Sequence, residues 1–174
     1  STNTLNFSAI ETLLGGSAAD NFTFADGVVF GGTLNGGDGT DSLDYSAYNS
    51  GVTVNLTTST ATGTNGISNI ENIAGGSGND DLTGDSNANS FTGNAGDDIF
   101  RFLLDWGADV IHELAGGGLD TVEFSTLSIA LSFAFAAVGV VISGGGSSLT
   151  IGNNHVESFI GGAGENTIDL SAYA

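Results

Sequence analysis

Between residues 75 and 101 the chain repeats one nine-residue phrase three times without a break: GGSGNDDLT, GDSNANSFT and GNAGDDIFR. Nine residues are too few to bury an apolar face alone, so such units must stack on their neighbours to make a core. Further copies read GGSAADNFT at 15–23, GGDGTDSLD at 36–44 and GGAGENTID at 161–169. Two looser ones centre on Trp106-Gly107-Ala108-Asp109 and Gly116-Gly117-Gly118-Leu119-Asp120. Two other phrases recur. One is IETLLGGSA at 10–18, IENIAGGSG at 70–78 and VESFIGGAG at 156–164. The other is NTLNFSA at 3–9, DSLDYSA at 41–47, DTVEFST at 120–126 and NTIDLSA at 166–172. Apolar and polar residues alternate in this second phrase, the period of a half-buried strand. No stretch has helical spacing flanked by caps, so the chain reads as all-β.

Each nonapeptide reads as a turn followed by a short strand. Its glycines are expected where φ is positive or backbones approach closely, leaving turn carbonyls free to face an ion. The sixth residue supplies a carboxylate, a hard oxygen ligand. The eighth is expected to point inward: Phe22, Leu43, Leu82, Phe91, Phe100, Ile111, Val122 and Ile168. Two nonapeptides complete one coil, so residues 18 apart stack, and Asp80 and Asp98 have that spacing. They form the best candidate pair. Asp98, Asp109 and Asp120 follow at intervals of 11, and Asp20 and Asp41 are 21 apart. Each of these turns is either a cation site of altered geometry or a solvated turn. Asn89 and Asn166 replace the aspartate and keep an oxygen without the charge, which weakens their half-sites.

Charge decides among partners. Twenty carboxylates face one cation, Arg101, for a net charge of −19 and no lysine. Nucleic acid and anionic membrane surfaces are excluded, because both are bound through Lys and Arg. With no cysteine, neither disulfides nor thiolate metal sites can form. Stacked carboxylates repel unless neutralised, and the chain supplies almost nothing to do so. Divalent cations are the natural partner. The most apolar stretch, 127–142, is shorter than a bilayer span and rich in β-branched and aromatic residues, so it reads as buried strands. Residues 1–20 lack the cationic start of a signal peptide, and without an initiator methionine the chain reads as a mature product or an excerpt.

Catalytic signals are absent, and the chain reads as no enzyme. His112 follows Ile111 and His155 sits in NNHVE, neither beside a nucleophile motif. Arg101 is expected to pair with an outer-face carboxylate, a contact worth under about 1 kcal/mol if exposed. Trp106 reads as a core residue, and Glu11, Glu71 and Glu157 as a repeated structural feature.

The nonapeptides resemble those of the RTX (repeats-in-toxin) calcium-binding proteins, G-G-x-G-x-D-x-U-x. Copies 36–44 and 75–83 match every defined position, while 45–69 and 127–155 carry no nonapeptide. The resemblance implies a right-handed parallel β-roll or β-solenoid built on GGxGxDxUx-type turns, with calcium as the bound ion. Carried onto this chain, the metal candidates are Asp80 and Asp98 with Gly75 and Gly93, then Asp41 with Gly36, Asp20, Asp109, Asp120 and Asn89. One domain over 1–174 is expected: RTX-like coils at 1–50, connecting strands at 51–74 and nonapeptide coils at 75–126. Wider apolar coils without the motif should follow at 127–155, and the start of a next repeat at 156–174.

The function so implied is a calcium-binding structural module of a secreted or cell-surface bacterial protein, folding on calcium as adhesin stalk, matrix or filament. A non-catalytic RTX domain attached to a secreted enzyme is the alternative. An ice-binding solenoid is another, on the threonine row NLTTSTATGT at 55–64. The same phrase at 3–9 and 166–172 puts both ends in one phase of the pattern, so copies stacking end to end are a further expectation.

Overall fold

The computed structural model describes residues 10–114, 117–136, 139–152 and 156–172. The phrase at 3–9, Gly116 and His155 lie outside the described residues. Among the described residues there are 18 strands and no helix. The first eight are β1 (Thr12–Leu14), β2 (Asn21–Thr23), β3 (Thr33–Asn35), β4 (Ser42–Asp44), β5 (Thr53–Asn55), β6 (Thr60–Ala61), β7 (Gly66–Ser68) and β8 (Asn72–Ala74). Next come β9 (Asp81–Thr83), β10 (Ser90–Thr92), β11 (Ile99–Arg101), β12 (Ala108–His112) and β13 (Thr121–Glu123). The last are β14 (Ser132–Ala136), β15 (Gly139–Gly144), β16 (Ser147–Gly152), β17 (Ser158–Ile160) and β18 (Thr167–Ala172).

The strands form a three-stranded sheet (β1-β3-β7), a six-stranded sheet (β17-β13-β11-β9-β5-β6) and a nine-stranded sheet (β18-β14-β15-β16-β12-β10-β8-β4-β2). From β8 to β13 successive strands alternate between the nine- and six-stranded sheets, and pairing within each is parallel. Ile73 lies beside Phe91, and Leu82 beside Phe100. Both are the 18-residue register expected of stacked nonapeptides. The offsets then widen, Phe91 pairing with Ile111 and Phe100 with Val122, because the turns between them are longer.

Inward alternation builds the core. Leu43, Leu82, Phe91, Phe100, Ile111 and Val122 are all buried, and Phe22 is half-buried. Ile168 departs from expectation at 66% exposed. It lies on β18, the outermost strand of its sheet, so no neighbouring strand covers its far side. Aromatic rings run through the centre. Phe124 stacks on Phe102 at 5.3 Å and meets Trp106 at 5.2 Å and Phe133 at 6.3 Å. Trp106 is thus a core residue, 1% exposed.

Segment 127–155 corrects another expectation. Its strands are buried on one face as foreseen, but they form an antiparallel meander, β14-β15-β16, in place of wide coils. Gly145 and Gly146 explain this. They sit at φ +59° and +94° between the paired Gly144 and Ser147, a two-residue turn of the kind that joins antiparallel strands. Parallel strands need a long crossover that this turn does not provide. The meander is inserted within the nine-stranded sheet, between β12 and β18.

Candidate metal centre

The turn at 75–80 shows how the nonapeptide works. Asp80 folds back under its own turn, Oδ2 accepting the Gly76 N–H at 2.7 Å and Oδ1 the Val52 N–H at 2.7 Å. A Cβ on Gly75 would lie 2.0 Å from Asp80 Oδ2. The same relation holds for Gly15 and Asp20 (2.5 Å), Gly36 and Asp41 (2.3 Å), Gly93 and Asp98 (2.1 Å), and Gly84 and Asn89 (2.9 Å). None of these glycines has positive φ. The sixth side chain thus occupies the space the first glycine's Cβ would take, and at Gly15 and Gly36 a backbone carbonyl oxygen, of Gly36 and of Asn69, lies closer still at 2.1 and 2.0 Å. Positive φ belongs to later glycines, such as Gly39 at +132° and Gly96 at +110°.

The acids also join successive rungs. Asp98 Oδ1 accepts the Asp80 N–H at 2.8 Å, Asp120 Oδ1 the Asp98 N–H at 3.0 Å, and Glu157 Oε2 the Asp120 N–H at 2.8 Å. A second ladder runs from Asp20 to Asp41 to Glu71, each acceptor 2.8 Å from the preceding N–H. A third links the Asn89 N–H to Asp109 Oδ1 at 2.8 Å. Glu71 and Glu157 thus carry the repeated structural role read from their phrases. Asn166 is exposed, its amide donating to the Gly162 carbonyl at 3.1 Å.

These bonds leave half of several carboxylates unanswered. Asp41, Asp80, Asp98, Asp109, Glu113 and Asp120 are between 0% and 3% exposed. Asp41 Oδ2, Asp98 Oδ2, Asp109 Oδ2 and Glu113 Oε2 are buried without a hydrogen-bond partner. At one place the acids converge. Asp98, Glu113 and Asp120 each offer an oxygen, and these lie within 4.8 Å of one another. Glu113 Oε1 is fixed by the Gly93 N–H at 2.6 Å. A Cβ on Gly93 would meet Asp98 Oδ2 at 2.1 Å and Glu113 Oε1 at 2.8 Å, so this glycine keeps the space between them open.

Burial, reinforced by the Asp80, Asp120 and Glu113 carboxylates, pushes Asp98 up to about 8. Burial and the charges of Asp120 and Glu157 raise Glu113 to about 7. Asp120 is raised mainly by burial, as is Asp80. Asp109 reaches about 7 through burial and the Asp85 charge. Arg101 relieves none of this. Its Nε pairs with Asp81 at 2.8 Å and its Nη1 with Glu123, on the outer side of the six-stranded sheet.

Of the sequence candidates, Asp98 and Asp120 come together in the cluster, with Gly93 against Asp98. Asp80 belongs to the same ladder but not to the cluster. Asp20, Asp41 and Gly36 build the second ladder, and Asn89 and Asp109 the third. Glu113 was not among the candidates. Its signal was IHELAGG at 111–117, which matches IENIAGG with the glutamate displaced by one residue. The threonine row folds into the β5-β6 hairpin, where Thr62 Oγ1 accepts the Thr53 N–H at 2.8 Å and the Thr58 and Thr60 hydroxyls bond at 3.0 Å. His112 is exposed on β12. In comparisons with known proteins, no family model matches the chain and no curated protein matches it.

Proposed function

We propose that this chain is a calcium-dependent structural module, a right-handed parallel β-roll of a secreted or cell-surface bacterial protein, whose acidic turns are neutralised by bound calcium. One observation carries the reading. Carboxylates buried at 0% to 3% exposure stack rung upon rung, several with an unpartnered oxygen, while the only cation is engaged elsewhere. Buried charge of one sign is tolerated only when paired or bound to a metal. The donors are all oxygen, with no sulfur and no imidazole in the cluster, which suits a hard cation such as calcium.

Asp80, Asp98 and Asp120 would hold ions along one edge, and Asp20, Asp41 and Asp109 along others. Before binding, repulsion among twenty carboxylates with a net charge of −19 destabilises the folded chain. Binding then supplies folding free energy. For a site with a dissociation constant of ~10⁻⁴ M, about 1 mM calcium adds roughly 1.4 kcal/mol. A few such sites suffice to decide whether a domain of ordinary marginal stability folds. Thermal unfolding in chelator, in calcium and in magnesium tests the proposal. Calcium should raise the melting temperature well above the other two conditions, and equal melting in all three would refute it.

A further inference from the structure

We infer that Asp98, Glu113 and Asp120 form an ion site of their own for one hard divalent cation, in which Glu113, a residue outside the nonapeptide motif, is the ligand that sets affinity. The identity of the ion as calcium rests on the reading above; the site rests on geometry.

Each carboxylate is aimed by a backbone bond on one oxygen. Asp98 Oδ1 takes the Asp80 N–H, Asp120 Oδ1 the Asp98 N–H, and Glu113 Oε1 the Gly93 N–H. The partner oxygens Asp98 Oδ2 and Glu113 Oε2 are fully buried with no hydrogen-bond partner. A buried carboxylate oxygen with no donor is a costly arrangement unless something binds it. The ligand oxygens lie within 4.8 Å of one another, no wider than about twice a calcium–oxygen distance. Gly93, lacking a Cβ, leaves the space that a side chain would fill.

The elements involved give the site its consequence. Asp98 precedes β11, whereas Glu113 and Asp120 flank the turn from β12 to β13. An ion held by all three pins two successive rungs together directly before the chain enters the meander. Asp80 and Asp98 alone, 18 residues apart, would pin only the earlier rungs.

Chelator-stripped wild type and Glu113→Gln should be titrated with calcium chloride by isothermal calorimetry at pH 8, and both should be melted with and without calcium. Glutamine keeps an oxygen for the Gly93 N–H while removing the charge. The tightest calcium should weaken by roughly ten- to a hundredfold or more in the variant while the other ions remain. Its melting temperature should rise in chelator, where a buried charge has gone, and fall relative to wild type in calcium. Opposite signs are the signature of a ligand. A variant that melts lower by the same amount in both conditions would reduce Glu113 to a hydrogen-bond acceptor and overturn the site. An unchanged isotherm beside a calcium-binding wild type would overturn it too, leaving the wider calcium reading intact. No calcium uptake by wild type would defeat both. Should Glu113→Gln fail to fold even in calcium, Glu113→Asp, with its charge kept, decides: a weakened tight site supports the inference, and unchanged affinity ends it.

Discussion

A methyl group at Gly75 would meet Asp80 Oδ2 at 2.0 Å, and that single contact distinguishes two kinds of glycine in this chain. Gly75→Ala should destabilise the calcium-loaded protein by about 2–3 kcal/mol, the range for overpacking a filled site. Gly27 has φ +66° and nothing within 4 Å of its virtual Cβ, so Gly27→Ala should cost only about 1 kcal/mol of backbone strain. Urea unfolding of both variants in calcium checks the order, and equal losses would contradict it. The positions of these residues were readable from the repeat, but the reason for the first glycine was not. Spacing shows that glycine and aspartate are five apart; it does not show that the carboxylate turns back beneath its own turn. Glu113 escaped for a related cause. Its phrase is displaced by one residue, and only the fold reveals that the displaced side chain still reaches the edge where the aspartates stack.

At the scale of elements, β8 to β11 were legible because alternation of period two and an 18-residue offset leave one consistent stacking. The meander was not, since an apolar run fits a parallel coil or a hairpin equally well until the Gly145-Gly146 turn is resolved. Phe124 joins the two regions, touching Phe102 and Trp106 on one side and Phe133 of the meander on the other. Phe124→Ala should cost about 3–5 kcal/mol. The lone tryptophan, Trp106, is the reporter, so its fluorescence during urea unfolding should show a lower midpoint in the variant. A midpoint within error of wild type would mean the meander packs independently of the nonapeptide rungs.

Over the whole molecule, charge governs stability. Asp98 and Asp109 move from an ordinary 3.8 to about 8 and about 7, and Glu113 from 4.5 to about 7. Without metal the folded chain therefore holds more protons than the unfolded chain across this interval. Its stability is greatest below about pH 4 as far as these groups are concerned, and is lost as pH rises toward 8. In chelator the protein should melt at a higher temperature at pH 5 than at pH 8, and calcium should flatten or reverse that trend by replacing the protons; a pH-independent melt in chelator would contradict this. The most direct test of calcium-dependent folding is far-ultraviolet circular dichroism of chelator-stripped protein at pH 7.5, held just above its melting temperature in chelator and followed through a calcium titration. A cooperative gain of β signal between micromolar and millimolar calcium, absent with magnesium, is the predicted result. A spectrum that calcium leaves unchanged at that temperature would show that bound calcium contributes nothing to holding the fold, and would contradict the account.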